Sequence, residues 1–261
     1  MPLHADVRGS GPPLVLVHGF TQTGRLWGRF GDLLGDSYTL IAVDLPGHGD
    51  SGSVRSDLAT TAGLVAESAR ATVGDGGCAL LGYSLGARVA LHVAILGELP
   101  LSGLVLIGAT AGIEDPDARR DRRLADDTLA DELDASGDVE GFVDAWLQNP
   151  MFERLASGDA AGRSERLRNS ASGLASSLRL CGVGTQEPLW DRLPTITSPV
   201  LALAGTDDTR FASSALRAAR LVPHGVASLV PGGGHAVHLA QPEQTSRLVR
   251  HWLDAVAPDR G

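Results

Sequence analysis

No lysine occurs in the sequence. All 22 basic residues of the 261 are arginine, they face 31 acidic ones, and the formal net charge is −9. A chain this acidic presents no electrostatic footprint for a phosphate backbone, which excludes nucleic acid as the expected partner. With so much Ala and Gly, the all-arginine usage points to a GC-rich coding bias, so no arginine signals function by its presence alone. Cysteine is nearly absent as well. Cys78 and Cys181 give neither a metal-binding spacing nor a disulfide framework, and Cys78 falls in an apolar run where it packs as a small hydrophobe. No His/Cys/Asp/Glu cluster with ligand spacing stands out, so neither a metal nor a cofactor is expected. The start, MPLHADVRGSGPP, lacks the basic-then-apolar order of a secretory leader. No apolar run is long enough to cross a bilayer, and the best candidate is broken by Glu98 and Pro100. The expectation is a cytoplasmic protein without a membrane or nucleic-acid partner, acting on a small molecule.

What is present is a rhythm. Short apolar runs end in Gly or Asp: Leu14–Val17, Tyr38–Val43, Cys78–Leu81, Leu104–Ile107, Pro199–Ala204 and Val226–Val230. Runs of this length, rich in Val, Leu and Ile, are strands buried on both faces of a parallel sheet. Helical stretches separate them at Leu58–Val73, Ser84–Leu96 and Gln244–Val256. The alternation predicts a doubly wound α/β sheet. Between Gly112 and Asp191 the rhythm stops, and helical patterns fill the gap at Asp115–Leu133, Val139–Leu147 and Ser164–Leu180. The predicted organisation is a core of residues 1–111 and 192–261 with a helical lid inserted at 112–191.

Gly82-Tyr83-Ser84-Leu85-Gly86 is G-x-S-x-G, set between a buried strand and a helix of small residues. That context makes it the nucleophile elbow of the α/β-hydrolase fold, with Ser84 the nucleophile. The elbow requires an acid and then a histidine further along the chain. Asp208 follows the run that ends at Ala204, and His235 follows the next run in a glycine-rich loop. Asp207 is the rival acid, and the G-x-x-D spacing common to such enzymes favours Asp208. His238 is the rival base, but it lies near a helix start. The oxyanion donors would be the backbone N–H groups of Leu85 and of Phe20, in the His18-Gly19-Phe20 turn. There is no HGGG stretch, which argues against the lipase-like esterases. A serine at the elbow argues against the ester mechanisms that use aspartate. With Tyr38 and Tyr83 the only tyrosines, none is available in the lid to activate an epoxide.

Arg88 lies four residues after Ser84, on the same helical face and leaning toward the helix N-terminus. An unpaired charge in so apolar a helix is costly. It is compensated either by an internal salt bridge with a lid acid or by a substrate carboxylate held bidentately.

The stretches LVHGF, VDLPGHGDSG, GYSLGARVAL, DAWLQNPMF, RLRNSASGL and GGGHAVH together resemble the 2-succinyl-6-hydroxy-2,4-cyclohexadiene-1-carboxylate synthases of menaquinone biosynthesis. The likeness spans nearly the whole chain. It implies pyruvate elimination without net hydrolysis, through a triad matching Ser84, Asp208 and His235. It further implies that Arg88, Arg122 and Arg168 bind substrate carboxylates, with Tyr83 beside the nucleophile and Trp146 lining the pocket. The stretch ARRDRRLADD offers Arg119, Arg120, Arg122 and Arg123, and a one-residue shift in the match changes the choice; Trp146 is alternatively plain lid core. Two other readings use the same residues. One is a serine hydrolase, an esterase or a carbon–carbon bond hydrolase acting on a carboxylate-bearing molecule. The other is a ligand-binding relative with little catalysis.

Overall fold

In a computed structural model, which describes residues 2–155 and 162–256, the six apolar runs form six parallel strands. They are β2 (Pro13–Val17), β3 (Thr39–Val43), β4 (Cys78–Tyr83), β5 (Leu101–Ile107), β6 (Val200–Gly205) and β7 (Gly225–Val230). A seventh strand, β1 (Ala5–Gly9), joins the edge antiparallel to β3, and the sheet order is β1-β3-β2-β4-β5-β6-β7. This edge strand was not expected. Its pattern is half exposed, so it lacks the continuous apolar run that marks the inner strands.

Side chains alternate across each strand, so each run feeds two cores. Val15, Val17, Leu80, Leu104 and Leu106 face α2 (Leu58–Val73), α3 (Leu85–Leu96) and α8 (Thr209–Leu221). Leu14, Leu16, Leu81, Val105 and Ile107 face α1 (Gly28–Gly35) and α9 (Pro242–Val256). Strands covered on both sides need apolar residues at every position, which is why β4 is buried throughout.

Among the described residues no strand lies between β5 and β6. That span holds α4 (Pro116–Ser136), α5 (Val139–Leu147), α6 (Arg163–Arg166) and α7 (Ala171–Cys181). Asp115, Asp138 and Ser170 cap α4, α5 and α7 with their side chains. The single helix expected over Ser164–Leu180 is two helices. Asn169 turns its amide onto the carbonyls of Arg166 and Thr21, and Ser170 accepts from Gly173 N–H at 3.1 Å. Such side chains offer the backbone an alternative to the helical ladder. No helix of the described residues is long and apolar enough to cross a membrane.

The strand-to-helix turn at Ser84 is strained, with φ 52° and ψ −108°. Its N–H donates to Ile107 O at 2.9 Å. Just beyond, Gly86 passes so close to β2 that a Cβ would fall on the carbonyl oxygens of Val17 and His18. Gly86→Ala should therefore destabilise the fold by at least about 1–3 kcal/mol, because backbone rather than a flexible side chain must move. Denaturant melts of the two proteins decide it, and equal midpoints would show that α3 can shift freely.

Three histidines are fully buried. Burial lowers His18 from 6.5 to about 4, and His48 and His238 to about 3. Below pH 6.5 the unfolded chain protonates these rings and the folded chain does not. The stability they contribute is complete above pH 6.5 and is lost as pH falls toward those values. The expected slope approaches about 1.4 kcal/mol per pH unit for each ring. Urea denaturation at pH 7 and pH 5 measures it, and pH-independent stability over that interval would contradict the assignment.

Candidate active site

Ser84 Oγ lies 2.9 Å from His235 Nε2, and His235 Nδ1 lies 2.8 Å from Asp208 Oδ2. Asp208 is the N-cap of α8, where its other oxygen accepts from Phe211 N–H at 3.3 Å. One carboxylate is thus held by a helix terminus and faces the imidazole, the arrangement that fixes the tautomer of a general base. Gly108 makes room for the ring, since a Cβ there would stand 2.9 Å from His235 Cε1. Phe211 and Tyr83 wall the imidazole, with ring centroids at 4.4 and 5.4 Å. The rivals are placed elsewhere. Asp207 pairs with Arg154 at 2.7 Å. His238 packs against Tyr83, Trp27 and Phe30, and neither of its nitrogens has a polar partner among the described residues.

The turn after β2 is fixed by its own polar groups. Leu45 N–H donates to His18 Nε2 at 3.0 Å, so Nδ1 carries the proton and donates to Gly19 O at 2.8 Å. Gln22 Oε1 accepts from Gly19 N–H at 3.0 Å. Thr21 adopts φ 66°, an uncommon conformation for a threonine. Arg166 donates to its hydroxyl and Asn169 to its carbonyl. Phe20 and Leu85 both face a cavity of about 320 Å³ that also contains Ser84 and His235. Leu85 opens α3, where a backbone N–H has no intrahelical acceptor.

Three arginines and one aspartate line this cavity: Arg88, Arg122, Arg210 and Asp126. Arg88 is only 8% exposed. Its guanidinium donates to Cys181 O at 2.7 Å, to Gly182 O at 3.4 Å and to Gln186 Oε1 at 3.3 Å. No carboxylate of the described residues lies within ion-pair distance of it. Burial pulls its pKa to about 10, so it stays charged at neutral pH. Arg122 spends its Nε on Asp126 Oδ1 at 2.9 Å. Its neighbours point away: Arg119 pairs with Glu187, Arg120 with Asp117 and Arg123 with Asp127. Trp146 lines the cavity and packs edge-on against Phe20, with centroids 5.0 Å apart.

Two expected site residues stand elsewhere. Arg168 has a 34% exposed side chain, pairs with Asp50 and Glu165 on the surface, and does not line the cavity. Two residues earlier, Arg166 is 1% exposed beneath the Thr21 turn. The helix break at 167–170 turns the one inward and the other outward, and sequence spacing does not reveal that break. Tyr83 is buried between His235 and His238 and forms no part of the cavity wall. It supports the imidazole from behind. Sequence reasoning also missed Asp126 and Arg210. Arg210 follows Asp208 by two residues on the first turn of α8, and that spacing was the available signal.

One group of possible metal donors does come together: His4, Asp44 and Asp50. The Asp44 oxygens accept from Gly24 and Asp50 N–H groups, and Asp50 pairs with Arg25 and Arg168. The two carboxylates are thus satisfied by the protein itself, while His4 Nε2 lies 3.5 Å from Asp6 and 3.6 Å from Asp50 without a hydrogen-bond partner among the described residues.

Residues 14–248 match the model of the alpha/beta hydrolase family. The chain is 34% identical to a Bacillus subtilis (strain 168) relative that carries the name 2-succinyl-6-hydroxy-2,4-cyclohexadiene-1-carboxylate synthase in provisional form, over 93% of this chain and 90% of that one. It is 31% identical to the Serratia proteamaculans (strain 568) protein of the same name, over 93% of each. Among solved structures, MenH from S. aureus superposes with a TM-score of 0.91 at 31% identity, covering 98% of this chain and 99% of that one. The chain belongs to the alpha/beta hydrolase family, and its relatives there are the 2-succinyl-6-hydroxy-2,4-cyclohexadiene-1-carboxylate synthases.

Proposed function

We propose that this chain is a lyase that eliminates pyruvate from 2-succinyl-5-enolpyruvyl-6-hydroxy-3-cyclohexene-1-carboxylate. One observation carries the reading. A buried guanidinium, Arg88, faces the cavity one helical turn from Ser84, is hydrogen-bonded only to neutral acceptors, and shares the wall's one aspartate, Asp126, with Arg122. A site for a neutral ester has no use for such a charge, whereas a carboxylate completes it.

The steps follow from the positions. Asp208 holds Nδ1–H of His235, so Nε2 accepts the Ser84 proton. Ser84 Oγ removes the ring proton next to the succinyl ketone. The ketone becomes an enolate whose oxygen accepts from the Phe20 and Leu85 N–H groups, each donor contributing a few kcal/mol. The electron pair moves through the ring double bond and breaks the carbon–oxygen bond to enolpyruvate. That leaving group takes up a proton to become pyruvate. No acyl-enzyme forms and no cofactor is called for. Arg88 and Arg122 hold carboxylates and fix the ring over Ser84. Residues 112–191 act as the lid, contributing Arg122, Trp146 and the carbonyls that seat Arg88. The third carboxylate-binding role implied by the resemblance is not given to Arg168; Arg166 is read as a positioning residue beneath the Thr21 turn.

Pyruvate release with the appearance of diene absorbance, from enzymatically prepared substrate, is the test. Ser84→Ala should lower kcat/KM on the order of 10³-fold or more. Arg88→Ala should lower it roughly 10- to 100-fold, the worth of a hydrogen-bonded charge. No release above the spontaneous background, with burst hydrolysis of acid-bearing esters instead, would replace this reading with a serine hydrolase.

Arg168→Ala should leave kcat/KM within about twofold, as expected for an exposed ion pair. Arg166→Ala should cost on the order of 2 kcal/mol of stability and lower kcat, since it releases the Thr21 turn beside Phe20. A reversed order of effects would return the role to Arg168.

A further inference from the structure

Asp126 is the one acid in the cavity wall among the described residues, and the proposed reaction gives it no task. It is 4% exposed. One oxygen accepts from Arg122 Nε at 2.9 Å, and the other, Oδ2, is buried with no hydrogen-bond partner among the described residues. The Gly184 N–H acts on the carboxylate only from outside hydrogen-bond geometry. A buried carboxylate oxygen without a donor is costly while charged. Burial accordingly raises the Asp126 carboxyl above the usual carboxylate range, against the pull of its arginine neighbours.

The groups that face it are few. Arg122 comes from its own helix and Arg88 from α3, while the Cys181 thiol at the end of α7 is turned away onto Ser56 O and Thr61 Oγ1. In the loop after α7, Glu187 is turned outward onto Arg119. Arg122 has only its Nε engaged among the described residues, so both terminal nitrogens remain for a ligand.

We propose that Asp126 is a proton-linked part of the carboxylate site: it takes up a proton as a ligand carboxylate settles on Arg88 and Arg122, and donates it to that ligand through Oδ2. The proton comes from solvent. A second negative charge within a few ångströms of a carboxylate forces this uptake, because two like charges cannot both be kept in so dry a wall. The sign follows from linkage. The bound state holds one more proton than the free state, so affinity for a carboxylate is greatest at low pH. It falls as pH rises past the carboxyl's value in the free cavity, by up to tenfold per unit. The proposal rests on the cavity being a carboxylate site and not on the identity of the reaction.

The experiment is titration calorimetry of the whole chain with phthalate, a rigid dicarboxylate ionised across the range used, about pH 6.5 to 8.5. Two buffers of different ionisation heat report the protons taken up. Wild type should take up a substantial fraction of one proton per phthalate, with affinity falling as pH rises. Asp126→Asn keeps the shape and offers an amide donor. It should bind with little dependence on pH, take up no proton, and exceed wild-type affinity roughly tenfold at the alkaline end. Asp126→Ala provides the same loss of uptake should the amide disturb folding. Uptake that persists unchanged in both variants assigns the proton to His235 and overturns the proposal. Binding without uptake in wild type overturns it too, as does failure of phthalate to bind at millimolar concentration. Because nothing turns over in this assay, phthalate binding with uptake by a chain that releases no pyruvate would remove the lyase reading and leave this one standing.

Discussion

The turn at Ser84 is the constraint on which the site depends. It holds a serine in backbone geometry that serine rarely adopts, and it keeps that geometry because packing on both sides leaves no alternative. Below it, β4 is buried at every position. Beyond it, Gly86 lies against the carbonyls of Val17 and His18, so α3 and the turn after β2 meet without a side chain between them. That contact sets the spacing between Leu85 and Phe20 and lets both face one cavity. The strain and the close approach are one device. A turn with ordinary backbone angles would send α3 away from β2 and separate the two donors.

The same helix connects the core to the inserted segment. Arg88 leaves α3 and ends on the carbonyls of Cys181 and Gly182, at the C-terminus of α7. A helix C-terminus carries partial negative charge and suits a cation, but it does not neutralise one. The arginine is therefore seated without a carboxylate in ion-pair contact, and the nearest negative charge, Asp126, is shared with Arg122. Asn169 makes a second connection, through Thr21, next to the proposed oxyanion donor. The described residues of 112–191 thus reach both the nucleophile's helix and the oxyanion turn, and their position bears on the geometry of each.

The sheet was legible in the sequence because strands covered on both faces must be apolar at every position, a pattern that few other structures produce. The partners of Ser84 were legible because their chain order is fixed by the fold and each follows a strand. What escaped was decided by local competition. β1 is an edge strand with mixed burial and no run to detect. The break before α7 comes from the side chains of Asn169 and Ser170 outcompeting a helical ladder, and it turns Arg166 inward and Arg168 outward. Asp126 looked like one of many acids on a charged helix. Only the packing of α4 on α7 shows that it is buried and that its neighbour Asp127 is not.

A Ser-His-Asp arrangement does not by itself distinguish hydrolysis from elimination, since both stabilise an oxyanion and both move a proton through the imidazole. The difference lies in what the cavity holds still. An ester hydrolase needs a carbonyl carbon within reach of Oγ. An elimination needs a carbon–hydrogen bond there and a leaving group on the far side of the ring, and carboxylates gripped at fixed points supply that orientation. On the proposed reading the grip comes from Arg88 on α3 and Arg122 on α4, while the serine, histidine and aspartate sit where a hydrolase would have them. Guanidinium serves this better than ammonium, because its planar fork fixes direction as well as charge. On that reading the reaction is set by the electrostatics of the cavity wall acting on shared machinery. The proposal places its selectivity in residues, Asp126 among them, that the elbow motif does not contain.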